Sequence, residues 1–96
     1  MSTEQYARVI VFKEGETLFA QCLEYDICAH AQDEQTLYAR FKALFNFERN
    51  LSIERNGAPF AGLDKAPQKV HDMWDACVLK ENFAIASTHL SLAKCA

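Results

Sequence analysis

Apolar residues recur at helical spacing across residues 36–55, and Lys42, Asn46, Arg49 and Asn50 fall on the opposite side of a helical wheel. Glu48 falls within the apolar face, and we expect it to be solvated because the helix extends past the sheet edge there. Gly57 stands where a left-handed C-terminal stop is expected. Asp33 and Thr36 compete for the N-terminal cap. The pattern predicts one long helix. Its apolar face contains Leu37, Phe41, Leu44, Phe45 and Leu51, with Tyr38 and Phe47 at the edges.

Three segments ahead of this helix alternate between apolar and polar residues, as half-buried β-strands do. They are residues 6–13, 17–24 and 27–32. The first turn contains Gly15, which readily takes the positive φ of a tight turn. Because the connections are short, we expect the three strands to form an antiparallel meander.

The two faces of this predicted sheet differ in what covers them. We expect Val9 and Val11 to face the long helix. The opposite face would present Phe12, Phe19 and Leu23, and so many apolar groups on an open face usually find another surface to cover them. The C-terminal segment and a second subunit are the two candidates for that cover.

The second half of the chain contains another helical pattern, which begins near Pro67 after an irregular stretch. Its apolar stripe consists of Val70, Met73, Trp74, Cys77 and Val78. Over residues 82–96 the letters FAIAS alternate like a strand, while HLSLAKCA fits either irregular chain or a short helix capped by Thr88. We expect a strand followed by irregular chain.

The predicted fold class is therefore α+β. We expect a three-stranded antiparallel meander covered by one long helix (β-β-β-α), followed by a second helix and a short C-terminal strand. Ninety-six residues, half of them hydrophobic, suffice for one domain with its own core. We divide the domain into a core at residues 1–57 and an extension at residues 58–96.

Charge and cysteine content limit the classes of protein to which this chain can belong. The net charge of −3 and the scattered basic residues make nucleic acid an unlikely partner. The polar start of the chain and the lack of a long apolar run predict neither a signal peptide nor a membrane span. The four cysteines include no CxxC pair, so we expect reduced thiols in a cytoplasmic protein.

The stretch FKEGETLFAQCLEYDICAHAQDEQTLYARFKALF resembles the HicB-like family, whose domains have a truncated ribonuclease H fold with the order β-β-β-α-β. Residues 22–28 stand for the family's "cPelpGc", and Gln32 with Thr36-Leu37 stands for its "qGdTleEAl". The later RNGAPFAG is similar to the family's "dGepiPeP". The Pro and Gly of the first motif and the Gly before the helix are absent here. The resemblance covers about the first two thirds of the chain.

This resemblance implies a function. HicB antitoxins bind a small RNA-cleaving toxin and block its active site, and many carry a C-terminal DNA-binding motif. A helix-turn-helix needs two closely joined helices and a basic surface. Only one helix is predicted after Gly57, and the lysines there are dispersed. We therefore expect a stand-alone HicB-like protein without the DNA-binding tail.

Candidate catalytic chemistry is sparse. A ribonuclease H site needs clustered carboxylates that hold two metal ions. The candidates are Glu24, Asp26 and Asp33, at strand ends and turns where acids are ordinarily solvated. Cys22, Cys28 and His30 match no common zinc spacing. We predict no catalytic, cofactor-binding or metal-binding residues and no enzyme activity.

The leading hypothesis is a non-catalytic, antitoxin-like or regulatory protein-interaction module. We expect it to form a homo-oligomer and to bind a small basic toxin, because an acidic protein suits a basic RNA-binding partner. A nucleic-acid-binding transcriptional regulator is the first alternative, and a metal-dependent nuclease relative is the second. The candidate interaction surface contains Phe12, Phe19, Leu23, Tyr38, Phe47 and Glu48.

Overall fold

The computed structural model describes residues 5–95, and these form a five-stranded mixed sheet with helices of unequal length on its two faces. The elements in chain order are β1 (Gln5–Glu14), β2 (Thr17–Cys22), β3 (Cys28–Ala31), α1 (Glu34–Asn56), α2 (Gln68–Trp74), β4 (Cys77–Ile85) and β5 (Thr88–Cys95). The spatial order of the strands is β3-β2-β1-β5-β4. The polar start at residues 1–4 lies outside the described residues. The predicted three-stranded sheet is wrong, because β4 and β5 extend the sheet beyond β1.

The first three strands form the predicted antiparallel meander. Gly15 takes a φ of 62° in the turn between β1 and β2, as its position in the sequence predicts. Val9 and Val11 point to the α1 side and are buried there, which confirms the predicted facing of β1. Strand β5 then lies parallel to β1 on its other side, with Val9 opposite Leu92.

Helix α1 packs across one face of the sheet, called here the α1 face. It begins after Asp33, whose carboxylate accepts a hydrogen bond from the backbone N–H of Thr36, so Asp33 is the cap and Thr36 supplies the donor. It ends at Gly57, whose φ of 80° lets its N–H bond the carbonyl oxygen of Ile53. The helix buries Leu37, Phe41 and Phe45 against small residues and valines of the sheet.

The opposite face, called here the α2 face, is covered only in part. Ile10 and Leu23 are buried there beneath Ala66 and Val70, so the C-terminal half of the chain supplies the cover. Helix α2 has seven residues and ends at Trp74. The prediction that its stripe continues through Cys77 and Val78 is wrong, because both residues belong to β4.

The chain ends in a β-hairpin, so the prediction of irregular chain after a short strand is wrong. Strands β4 and β5 pair antiparallel, and the turn between them places Ala86 at a φ of 53°. The ladder slips between Leu79 and Glu81, which leaves Lys80 as the extra residue of a bulge. A bulge with a lysine interrupts this outer strand, a common protection against pairing with other chains.

Two of the four cysteines are not reduced, contrary to the prediction. Cys77 and Cys95 are register partners of the β4–β5 ladder and form a disulfide, with their Cα atoms 4.2 Å apart. Cys22 is a buried thiol and Cys28 an exposed one. Within residues 5–95, no helix has the combined length and apolar character that crossing a membrane requires.

Candidate functional site

Three aromatic side chains line up across the meander on the α2 face. Phe12 of β1 pairs in register with Phe19 of β2, and Phe19 pairs with His30 of β3. The rings of Phe12 and Phe19 stack with their centroids 5.3 Å apart and an angle of 12° between their planes. The ring of His30 lies 6.0 Å from that of Phe19. We call Phe12, Phe19 and His30 the aromatic row.

The row remains open to solvent because α2 is too short to reach it. At about 1.5 Å per residue, the seven residues of α2 cover only about 10 Å. Phe12 packs against the edge of the cluster beneath α2. Phe12 and Phe19 are half-buried, and His30 on the edge strand β3 is exposed. The row therefore offers a stacked aromatic platform at the boundary between covered and uncovered sheet.

Charged groups of both signs lie near the aromatic row. Arg40 of α1 donates a 2.9 Å hydrogen bond from Nη1 to the carbonyl oxygen of His30, at the sheet edge, and two acids lie on the α2 face. Glu14 follows Phe12 by two positions in β1 and therefore shares its face. Asp26, in the connection between β2 and β3, accepts a hydrogen bond of 3.0 Å from the Nε2 of Gln21. Among the described residues of β1, β2 and β3, Arg8 is the one Lys or Arg on this face, and its charge is paired.

Arg8, Glu24 and Trp74 fix α2 beside the row. The Nε and Nη2 of Arg8 donate hydrogen bonds of 2.8 and 2.6 Å to Oε2 of Glu24. The other oxygen, Oε1, accepts from the backbone N–H of Arg8 at 2.6 Å. The guanidinium lies 5.5 Å from the ring centre of Trp74 on α2. A forked, charge-assisted contact thus joins β1, the end of β2 and α2.

The residues of the predicted interaction surface do not form one surface. Phe12 and Phe19 belong to the aromatic row. Leu23 is fully buried, because the segment between α1 and α2 passes over it and the N–H of Ala66 bonds its carbonyl oxygen at 3.0 Å. Tyr38, Phe47 and Glu48 belong to α1, on the other side of the sheet.

Of the three residues on α1, Tyr38 lies more than two helical turns before Phe47 and Glu48, which are consecutive. Tyr38 borders a cavity of about 90 Å³ between α1 and β4, whose other walls include Phe41 and Phe83. Phe47 is 59% exposed. Glu48 is half-exposed and borders a surface hollow near the end of α1. Isolated exposed apolar residues such as Phe47 are normal on protein surfaces.

The three acids considered for metal chemistry have separate structural duties. Glu24 accepts hydrogen bonds from Arg8, and Asp26 accepts one from Gln21. Asp33 caps α1, and hydrogen bonds from the backbone N–H and the hydroxyl of Thr36 lower the pKa of its carboxyl below the ordinary value of 3.8. Within residues 5–95, no group of three His, Cys, Asp or Glu side chains is arranged to hold a metal ion.

The two free thiols are poorly suited to nucleophilic chemistry. Burial raises the pKa of Cys22 to about 11, so this thiol is protonated near neutral pH. Partial burial, together with the charge of Asp26, also raises the pKa of Cys28. Neither thiol therefore offers the thiolate that a nucleophile or metal ligand requires.

Sequence reasoning missed two features of the site. The inclusion of His30 in the row depends on the β2–β3 register, which the alternation of residues does not fix. The Arg8–Glu24 pair depends on how the chain leaves β2.

No protein-family model, curated protein or solved structure matches this chain.

Proposed function

We propose that this protein is a non-catalytic, antitoxin-like or regulatory interaction module that binds a small basic RNA-cleaving protein through the aromatic row. The observation that carries the proposal is the register alignment of Phe12, Phe19 and His30 on the uncovered part of the α2 face. Stacked aromatic groups supply large, rigid contact area, and such side chains are enriched at the energetic centres of interfaces.

The acids that lie beside the row on the α2 face favour a basic partner. Glu14 shares the face of Phe12, and Asp26 lies near Gln21 on the same side. The positive charge of Arg8 is already paired with Glu24. Acidic groups around an aromatic centre attract a cationic protein and repel the phosphates of nucleic acid.

The order of elements is compatible with the HicB-like resemblance on which the antitoxin-like part of the proposal depends. The meander and α1 are followed, after α2 and β4, by a strand that returns beside β1. Without α2 and β4, this is the order β-β-β-α-β. The homo-oligomer and the cytoplasmic location remain predictions of the same hypothesis.

A retrieval experiment tests the proposal. The tagged chain is expressed in its native cells and isolated, and bound proteins are identified by mass spectrometry while light scattering gives the oligomeric state. We expect a small basic protein whose cleavage of RNA stops when the purified chain is added. If the chain instead retains RNA or DNA in a salt-dependent manner, or retrieves no protein, the antitoxin-like proposal is wrong.

A further inference from the structure

The disulfide between Cys77 and Cys95 joins the first residue of β4 to the last residue of β5. The two residues are direct partners in the ladder, and their Cα separation of 4.2 Å is close to the roughly 4.5 Å of a non-hydrogen-bonded antiparallel pair. The sheet itself therefore holds the two residues side by side, whether or not the bond is present.

Small thiols can reach this pair. Both residues are half-exposed, unlike the buried thiol of Cys22. Cys95 borders a surface cavity of about 150 Å³ whose walls also include Lys13 and Lys94. Lys94 is paired with Glu34, while Lys13 is exposed. The exposed ammonium group of Lys13 lies at the same end of the sheet as Cys95 and would raise the local concentration of an anionic thiol there.

The sulfur of Cys77 lies where reduction of the disulfide would change its hydrogen bonding. The Sγ of Cys77 lies 3.0 Å from the carbonyl oxygen of Met73, in the last turn of α2. A thiol at Cys77 could donate a hydrogen bond to this oxygen, whereas the disulfide sulfur has no proton to donate. The chemical state of the pair is thus linked to the end of α2.

From these contacts we propose that Cys77 and Cys95 form a thiol–disulfide exchange site for a small anionic thiol of the glutathione type, and that the state of the pair controls how firmly α2 is held on the sheet. Helix α2 has seven residues and no side-chain cap at its start, so its position depends on tertiary contacts. The disulfide tethers the chain three residues after the end of the helix.

Reduction of the protein disulfide by glutathione takes two steps. A glutathione thiolate attacks Sγ of Cys95, the S–S bond breaks, and Cys77 leaves as a thiolate that takes up a proton. A second glutathione thiolate attacks the glutathione sulfur of the mixed disulfide and releases Cys95, which is also protonated. Overall, two glutathione thiols are oxidised to glutathione disulfide, and the protein disulfide is reduced to two thiols. Glutathione disulfide drives the reverse reaction.

The protein offers its own reporter for α2, because Trp74 is its one tryptophan and lies at the end of that helix. The folded protein is equilibrated in buffers with different ratios of glutathione to glutathione disulfide. One half of each sample is alkylated for mass spectrometry, and the Trp74 emission of the other half is recorded. We expect a two-thiol titration, with an emission change that follows the same curve.

Two variants sharpen this test. Cys28→Ser should titrate as the wild-type protein does, and Cys95→Ser should hold the reduced emission in every buffer. If Cys95→Ser does not fold, Lys13→Glu gives a second measurement. It should slow reduction by glutathione several-fold, while reduction by neutral 2-mercaptoethanol stays unchanged.

Three results would overturn the proposal. The pair could resist reduction until the protein is unfolded, which would make it a purely structural disulfide. The pair could exchange while Trp74 emission stays constant, which would separate it from α2. Finally, Lys13→Glu could slow reduction by glutathione and by 2-mercaptoethanol equally, which would show that the charge of Lys13 does not attract the anionic thiol.

Discussion

The ring of Phe45 on α1 lies 4.8 Å from the ring of Phe60, which belongs to the irregular segment between the two helices. Phe60 is buried and takes a φ of 61°, and its other side stacks on Tyr25 with centroids 4.2 Å apart. The segment between the helices is therefore part of the core. The same segment continues to Ala66, which covers Leu23.

This contact predicts a strong asymmetry between two phenylalanines on the same helix. Phe45 is fully buried and Phe47 is mostly exposed. Replacing Phe45 by Ala should lower the free energy of unfolding by about 3–5 kcal/mol, because a large cavity opens in the core. Replacing Phe47 by Ala should change it by less than about 0.5 kcal/mol. Urea unfolding of both variants measures the difference, and equal losses would contradict the placement of α1.

The turn of the C-terminal hairpin predicts a stabilising substitution. Ala86 takes a φ of 53°, a conformation that glycine adopts without the steric cost of a Cβ atom. Ala86→Gly should therefore raise the free energy of unfolding by about 0.5–1 kcal/mol. The matched control is Ala84→Gly within β4, which should lower stability because glycine weakens a strand. Thermal unfolding of the two variants measures the difference. If both substitutions lower stability, Ala86 does not have a left-handed backbone conformation.

The cap of α1 predicts a pH dependence with a defined sign. The pKa of Asp33 is lower in the folded protein than its ordinary value of 3.8, because Thr36 donates to the charged carboxylate. Its contribution is therefore complete above about pH 4 and is lost as the pH falls through the folded pKa. Asn also caps helices but carries no charge. Urea midpoints measured from about pH 6 to pH 2 should thus fall less steeply for Asp33→Asn than for wild type, and parallel curves would refute the account.

Local patterns predicted the elements whose signals lie within a few residues. The long helix has an unbroken apolar face ending at Gly57, and the first hairpin has Gly15 at its turn, so both could be predicted. Helix α2 was predicted too long, because Cys77 and Val78 continue the helical spacing set by Val70. That spacing cannot show that the chain changes direction after Trp74.

Strand β4 was predicted only in part, over FAIAS, and β5 was missed, because the two strands depend on long-range pairing and on unusual turn chemistry. Strand β5 joins β1 from the other end of the chain, and periodicity carries no information on such a pairing. The β4–β5 turn uses Ala86 where glycine or asparagine is the usual signal. Of the candidate site, Phe12 and Phe19 were correctly placed on one face, whereas Leu23 was not recognised as buried because its cover follows α1.

The affinity of the retrieved small basic protein for matched variants tests the central claim most directly. Isothermal titration calorimetry would compare wild type with Phe19→Ser, which interrupts the aromatic row, and Phe47→Ser, which removes an exposed ring on α1. Circular dichroism would first establish that both variants are folded. We predict that Phe19→Ser weakens binding by about tenfold to thirtyfold, as expected for an interface hot spot, while Phe47→Ser leaves the affinity unchanged. Equal affinity for Phe19→Ser and wild type would contradict binding through the aromatic row.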